Sequence, residues 1–525
     1  MTGTAAAALA AVRTQLPPLS LPHVEYSAIA PELILVGAAL ALLLGTSLSR
    51  RRLGLGVFTA VTVAAALAAM GATWSLWVDV VPSHLRRVAD AVHHPYTALA
   101  GAIAVDGFSL FFLVLLCAAL VLGALLGDAW LRREEVSGPE YHVLALLCVS
   151  GAMLMAAAND LLVLFLGLEI LSISLYVLAG FDGRRLQSRE AAMKYFVLGA
   201  FSSALFLYGI ALTYGATGST SLPQVATYLA QEVGTSNGVL LAGLALLLAG
   251  LGFKVAAVPF HAWTPDVYQG SPTPVTGFMA AAAKAGGFAA LLRVFFSTFS
   301  ILRLDWQPLV WALAVLTLLV GSILALVQTD IKRMLAYSSI SHAGYVLIGL
   351  QAGTARGIAG ALFYLLAYTF MVLGSFAIVT LMGRRGDIHH SLDDYRGLAA
   401  RRPGLAVVFA VFLMAQTGVP FTTGFLAKFY VISAAVASHS YALAIIGMLS
   451  AVIAAFFYLR VIVLMYSPAG EEADSAGAVA GVAGPAIPLP GTVAFTLAVA
   501  LAVTVVFGLV PSPMIGFARH ATLLF

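Results

Sequence analysis

Charge is scarce in this 525-residue chain: Asp, Glu, Lys and Arg make up 10% of it, against 61% hydrophobic residues. A soluble domain averages about 25% charged residues, so a water-exposed globular fold is excluded and most of the length is expected in lipid. Cysteine is scarcer still. The two present, Cys117 and Cys148, fall inside apolar runs and read as small buried hydrophobes. No Cys-x-x-Cys pair, Walker loop or G-x-G-x-x-G turn occurs. No metal, iron–sulfur, nucleotide or dinucleotide site is therefore expected in the chain itself. The net charge of +4 is too small and too dispersed for nucleic-acid binding. The opening MTGTAAAALAAVRTQLPP lacks a basic stretch before its alanines and is expected to be an extramembrane lead-in rather than a cleaved signal.

Lysine is sparse, and its placement is informative. Of five lysines, four (Lys194, Lys254, Lys284 and Lys428) lie in or at the edge of apolar, membrane-length segments. Almost all of the 22 arginines sit in polar loops, as in Arg50–Arg52, Arg184-Arg185 and Arg401-Arg402. A desolvated Lys can lose its proton near neutrality, whereas Arg stays charged. Ionisable groups in hydrocarbon are costly and mark ion or proton pathways. The distribution is that of a chain built to move protons.

An apolar stretch of about 20 residues crosses a bilayer as a helix. About fourteen spans are expected, near 28–47, 54–74, 104–127, 141–157, 161–180, 191–214, 238–260, 272–296, 308–328, 333–350, 357–382, 404–436, 441–466 and 490–510. The fold class is an all-α polytopic membrane protein. Loops after odd-numbered spans, with Lys332 among them, hold 15 basic residues, and the opposite side holds 7, Arg293 near a span end included. The Arg-rich loops are thus expected in the cytoplasm and both termini outside, in a bacterial inner or plasma membrane.

Two spans are interrupted. The seventh reads GLGFKVAAVPFHAWTPDVYQGSPTP, with Pro259 five residues after Lys254 and His261 two further on. Proline removes a backbone donor and clashes with the preceding turn, so the helix must break. The twelfth reads QTGVPFTTGFLAKFYV, where Gly418, Pro420 and Gly424 precede Lys428. Interrupted spans in corresponding positions of two halves point to an inverted-repeat transport fold. Asp160 and Asp330 open the fifth and tenth spans. The expected organisation is three leading spans over 1–140, a first five-helix repeat over 141–296, a second over 297–466, and a loop with a trailing span over 467–525.

Glu169 sits mid-span in NDLLVLFLGLEILSISLYVL. A lone carboxylate there is unfavourable, so a buried cation is expected beside it. Lys254 is the natural partner, and Lys284, midway along the next span, extends the line. A pair at about 4 Å in an effective dielectric near 20 is worth on the order of 4 kcal/mol. That suffices to gate a proton against a potential costing about 2.3 kcal/mol per 100 mV. A polar clasp without transport is the alternative. His342, in AYSSISHAGYVL, is suited to relay a proton between the halves or to pack as a hydrogen-bonded histidine, and His261 beside the break reads similarly. Lys428 and Lys194 are relay candidates or lysines that snorkel to a surface. Asp106 and Glu32 read as interfacial or subunit-contact residues.

At these residues the chain resembles a known family. FKVAAVPFHAWTPDVYQGSPTPVTGFMAAAAKAGGFA looks like the signature of subunit N of bacterial NADH:quinone oxidoreductase, respiratory complex I. NDLLVLFLGLEILSISLYVL, LAYSSISHAGY and GVPFTTGFLAKFYV resemble the same family, over roughly 100–465. The resemblance implies that Glu169 and Lys254 are the ion pair, Lys284 the central lysine, His342 a tenth-helix histidine and Lys428 the second-half lysine. It implies proton translocation coupled to quinone reduction, with FMN, Fe-S clusters and quinone held by other subunits. The implied partners are the antiporter-like subunit M, the small membrane subunits and lipids. A subunit of a multisubunit cation/proton antiporter shares the fold, and a non-pumping membrane scaffold is the third reading.

Overall fold

The computed structural model describes residues 24–48, 54–81, 95–231, 238–468 and 489–521. Most of the lead-in, Arg50–Arg52, Arg86, Arg87, much of the 75–103 loop and nearly all of the 467–489 loop lie outside them.

Two peripheral helices, α1 (Ala30–Leu48) and α2 (Leu55–Val80), come first. A short antiparallel hairpin follows, β1 (Tyr96–Ala98) with β2 (Ile103–Val105), registering Tyr96 on Val105. Asp106 then caps α3 (Gly107–Arg133). Its carboxylate accepts from the Ser109 N–H, and the Ser109 hydroxyl receives the Asp106 N–H. This reciprocal capping box sets the helix start. Next come α4 (Glu140–Ala157), α5 (Leu161–Ala179), α6 (Leu186–Thr217), the short amphipathic α7 (Leu222–Gln231) and α8 (Gly238–Val255). After the break come α9 (Trp263–Gly270) and α10 (Thr273–Thr298). The second half holds α11 (Arg303–Leu326), α12 (Ile331–Gln351), α13 (Ala355–Met382), the one-turn α14 (Leu398–Arg401), α15 (Pro403–Thr417), α16 (Thr423–Ala437) and α17 (Tyr441–Tyr466). A trailing α18 (Gly491–Leu509) and the short α19 (Ser512–His520) close the described chain.

Among the described residues, 12 helices are long and apolar enough to cross a membrane, so the chain is a multi-pass membrane protein. Two expected spans differ from these for physical reasons. The span at 333–350 forms α12, but it carries Lys332, Arg333, three serines and His342 and is too polar for lipid. It is buried along nearly its whole length instead. The span at 404–436 is two half-helices, α15 and α16. α10 is buried throughout its apolar window and α13 almost throughout, whereas α1, α2, α6 and α18 bury a third of theirs or less. The outer helices show Leu, Ile, Val and Phe to lipid, and the centre is built on α10, α12 and α13.

Both breaks are satisfied by neighbouring polar groups, as membrane depth demands. After α8, Ala256 takes φ +60° and Val258-Pro259 is cis. The Val258 N–H, freed from the helix ladder, donates to Thr317 Oγ1 of α11 at 2.9 Å. After α15, Gly418 takes φ +95°, a conformation that favours glycine. Thr422 accepts from the Phe425 N–H and starts α16.

Asp160 and Asp330 perform the same task in the two halves. Each caps a helix through its side chain, α5 and α12 respectively. Each also forms an antiparallel bridge to a serine after the following helix, Asp160 to Ser221 and Asp330 to Ser391. The Leu161 N–H bonds Thr220 O at 2.9 Å, and the Ile331 N–H bonds His390 O at 2.7 Å.

Candidate functional site: a line of buried lysines

Lys254 lies in the last turn of α8, 3% exposed. Its ammonium donates to Ser172 Oγ of α5 at 2.8 Å and reaches Tyr195 OH of α6 at 3.5 Å. Tyr195 is held by Trp263 of α9, stacked with centroids 4.5 Å apart and planes 10° off parallel. A cavity of about 10 Å³ opens beside Lys254, lined by Ser172, Tyr176, Ser202 and Phe206. That volume holds about one water. The expected Glu169–Lys254 ion pair is not closed. Glu169 is near enough to act on Lys254 through space, but its Oε1 is buried without a hydrogen-bond partner. Ser172, one turn further along α5, takes the ammonium instead. The carboxyl and the ammonium thus lie near each other without direct contact.

The second cluster joins Lys284, His342 and Lys428. Lys284 follows a π-turn of α10 (Met279–Ala283), an irregularity frequent at functional sites. Its ammonium donates to the Ser339 carbonyl of α12 and lies 5.5 Å from the Tyr368 ring centroid. Ser339 Oγ accepts from Tyr368 OH at 2.8 Å and is 3.4 Å from Tyr268 OH. One turn on, His342 bonds Tyr364 OH at 2.6 Å through Nδ1 and Tyr458 OH at 3.2 Å through Nε2. Tyr458 also pairs with Ser338 Oγ and donates to Gln416 Oε1 at 3.3 Å. Gln416 precedes Thr417, whose carbonyl accepts from Lys428 at 2.8 Å. Both Lys284 and Lys428 act on His342 through space. Hydroxyls, an imidazole and an amide therefore span most of the way between two lysines that are 4% and 6% exposed. Lys428 does not snorkel. It reaches back onto the carbonyl end of α15, where a cation is favoured, with the Tyr345 ring centroid 4.8 Å away.

The two broken helices thereby become comparable. Lys precedes Pro259 in one half and follows Pro420 in the other. Yet Lys254 sits in the last turn of α8, and the Lys428 ammonium bonds the last carbonyl of α15. Lys254 thus lies in, and Lys428 reaches, the last turn of an interrupted half-helix.

Other expected residues fall elsewhere. Lys194 is 43% exposed and pairs with Glu190 at 2.7 Å and Asp266 at 2.8 Å. Asp266 also takes Arg333 at 2.6 Å, so this carboxylate ties α6, α9 and α12. Glu190, Lys194 and Asp266 border a cleft of about 400 Å³ that also includes Asp330, Asp387, His389 and His390. His261 lies on the turn after the break, half-buried, with Nδ1 unbonded. Among the described residues no hydrogen bond joins it to the lysines. Pro259 and Pro420 lie in the breaks themselves. Glu32, in the first turn of α1, is partly buried with Oε2 unbonded, away from the lysine line.

Two expectations are corrected. Asp106 is not interfacial. It is fully buried and grips Arg293 with both oxygens, at 2.9 and 3.0 Å. Arg293 in turn reaches Ala156 O at 3.1 Å. Lys332 is not a loop residue. It is in the first turn of α12 with its side chain 0% exposed, 3.5 Å from Asp387. Asp387, which sequence reading passed over, accepts from the Thr273 N–H and hydroxyl at 3.1 and 2.7 Å and from Arg185 at 3.0 Å. Burial alone would raise its carboxyl, but Lys332, His390 and Arg185 outweigh that and hold it well below the usual carboxylate range. A lone acid between Arg384-Arg385 and His389-His390 was the available signal.

A helical membrane bundle with two broken helices and buried lysines along its centre defines an ion-translocating, antiporter-like membrane subunit. The model of the family described as NADH:quinone oxidoreductase/Mrp antiporter, TM, matches residues 158–454. NADH-quinone oxidoreductase subunit N of Trichlorobacter lovleyi is 47% identical, the match covering 82% of this chain and 86% of that protein. The subunit N of Mycobacterium tuberculosis is 41% identical over 96% of this chain and 99% of its own. A chain of respiratory complex I from Thermus thermophilus is 32% identical with a TM-score of 0.75, covering 93% of this chain and 98% of that one. The chain belongs to the NADH-quinone oxidoreductase subunit N family.

Proposed function

We propose that the chain is the proton-translocating subunit N of an NADH:quinone oxidoreductase, within a multisubunit membrane complex. The observation that carries this reading is two hydrogen-bonded groups one turn apart on α12, Lys284 on Ser339 and His342 with Tyr458 and Gln416, which together lead from Lys284 toward Lys428. Each lysine has a neutral or anionic neighbour to which a proton or a hydrogen bond can shift. Lys254 is poised between Ser172 and Glu169, so closing that pair stabilises its charge and opening it releases the proton inward. Lys284 receives the proton, the Tyr–His–Tyr group passes it between the halves, and Lys428 hands it on.

The same reading assigns the remaining parts. Electron transfer, with FMN, Fe-S clusters and quinone, belongs to other subunits, and this chain holds no redox centre. The matched Asp160–Ser221 and Asp330–Ser391 bridges support two five-helix repeats. Five spans separate the two aspartates, which supports an inverted relation between them. The Arg-rich loops face the cytoplasm, both termini face outward, and subunit M and the small membrane subunits flank the chain.

The deciding experiment is proton uptake driven by NADH oxidation in membrane vesicles carrying the Lys284→Ala complex. Assembly with lost pumping is expected. An assembled complex with the normal proton-to-electron ratio would overturn the reading.

A further inference from the structure

The helix that carries Lys284 and the helix that receives it are fastened at one end by a single carboxylate. Asp387 lies in the loop after α13, its side chain 0% exposed. It accepts from the backbone N–H and the hydroxyl of Thr273, the first residue of α10. It also faces Lys332, in the first turn of α12, which itself donates to Ser271 O at 2.5 Å, just ahead of α10. Arg185 at the start of α6 and Arg133 at the end of α3 complete the cationic ring, at 3.0 and 3.7 Å. The geometry points to Asp387 as a positioning residue that sets the register of α10 against α12 and so keeps the Lys284 ammonium on the Ser339 carbonyl.

Two lever arms connect this loop to the lysine. Lys284 stands 11 residues beyond Thr273 on α10, and Ser339 stands 7 beyond Lys332 on α12. At 1.5 Å per residue these arms are about 16 and 10 Å. Both are short enough to carry a shift at the loop to the lysine. The π-turn directly before Lys284 interrupts the regular helix ladder between Thr273 and the lysine. A fixed start is therefore needed for Lys284 to return to the same partner. An ordinary helix cap needs one hydrogen bond, but Asp387 supplies two to α10 while neutralising a buried lysine of α12. Asp387 is the carboxylate that contacts both Thr273 and Lys332 among the described residues.

The inference rests on Lys284 being a proton carrier, so Lys284→Ala is measured alongside. Three complexes are compared for assembly and for protons moved per NADH: Asp387→Asn, Asp387→Glu and the charge-balanced double variant Asp387→Asn with Lys332→Met. Glu keeps the charge but pushes its oxygens one methylene too far to hold both Thr273 groups. The expected result is an assembled Asp387→Glu complex whose proton-to-electron ratio falls at least about twofold while NADH oxidation continues. If Asp387→Asn fails to assemble, the double variant removes both buried charges, and the same drop is expected. A normal ratio in any assembled Asp387 variant overturns the positioning role. Failure of all three to assemble assigns Asp387 to folding alone and overturns it equally. If Lys284→Ala itself pumps normally, the functional reading fails, whatever Asp387 does.

Discussion

Lys254 Nζ is 2.8 Å from Ser172 Oγ, while Glu169, three residues earlier on the same helix, has a buried oxygen with no hydrogen-bond partner. Three residues along a helix are about 4.5 Å, within the swing of a lysine side chain. The proposed switch has two states: hydroxyl-bound, as here, and ion-paired when the side chain leans toward Glu169.

The switch separates the effects of its two partners. Glu169→Gln removes the charge that closes the pair, a term on the order of 4 kcal/mol, and should lower NADH-driven pumping more than about tenfold. Ser172→Ala removes one hydrogen bond worth about 1 kcal/mol and should slow pumping only a few-fold. Proton uptake and NADH oxidation in the same vesicles report both. Equal damage from the two variants would make Ser172, and not the charge pair, the working partner.

Lys284→Arg tests whether the central lysine must lose its proton. Arginine keeps the cation and can still donate to the Ser339 carbonyl, but it does not deprotonate in proteins. Pumping by Lys284→Arg should be nearly as low as by Lys284→Ala. Wild-type pumping would make Lys284 a fixed charge and remove it from the proton path.

The lysines of the line and the two breaks were legible because each breaks a local rule: a cation in hydrocarbon, a proline in a helix. The carbonyl, serine and tyrosine partners were not legible, because tyrosine and serine are unremarkable in a membrane helix and only the fold brings Tyr364 of α13 and Tyr458 of α17 onto His342. Lys332 was misplaced because it stands beside Arg333 in what reads as a polar loop, yet the two side chains leave the helix in different directions, one inward and one to Asp266. The short helices α7 and α19 were missed because each is amphipathic and far shorter than a span. Phe517 of α19 packs on Trp77 and Phe111 with centroids 4.6 and 4.8 Å apart.

Arg293 and Asp106 form a fully buried bidentate pair at the far end of the Lys284 helix. Breaking a buried pair by removing one partner typically costs about 3–5 kcal/mol, because a charge is left unpaired. Arg293→Met should therefore lower the yield of assembled complex sharply, and Asp106→Asn with Arg293→Met should recover much of it. Native gels of solubilised membranes decide this. Recovery by the double variant would show that the pair matters through its buried charge, and no recovery would show that its hydrogen bonds to the α3 cap and Ala156 are indispensable.

Topology is open to direct labelling because the native cysteines are both buried. Ile388 is 53% exposed in the basic loop, which is expected in the cytoplasm, whereas the N-terminal lead-in is expected outside. Ala5→Cys should react with an impermeant thiol reagent in intact cells, and Ile388→Cys should react only after the membrane is opened. The opposite pattern would exchange the inlet and outlet sides of the proton path.

The second break makes the sharpest contrast among single substitutions. Lys428 donates to the Thr417 carbonyl, which the break leaves without a helical partner, so the lysine both satisfies α15 and holds its own charge at a favourable helix end. Lys428→Ala removes the cation at the end of the line and uncovers that carbonyl, and turnover should fall strongly. Pro420→Ala should do much less, because Gly418 at φ +95° and Thr422 as the cap of α16 already fix the interruption. Gly424→Ala should be the most damaging to assembly, since a Cβ there would run into the Ala415 carbonyl oxygen, a backbone atom that cannot turn aside. The ordering is read from NADH-driven proton uptake normalised to assembled complex for the first two variants, and from the amount of assembled complex for the third. A Pro420→Ala complex as inactive as Lys428→Ala would mean that the proline, and not the glycine and threonine beside it, sets the geometry in which Lys428 works.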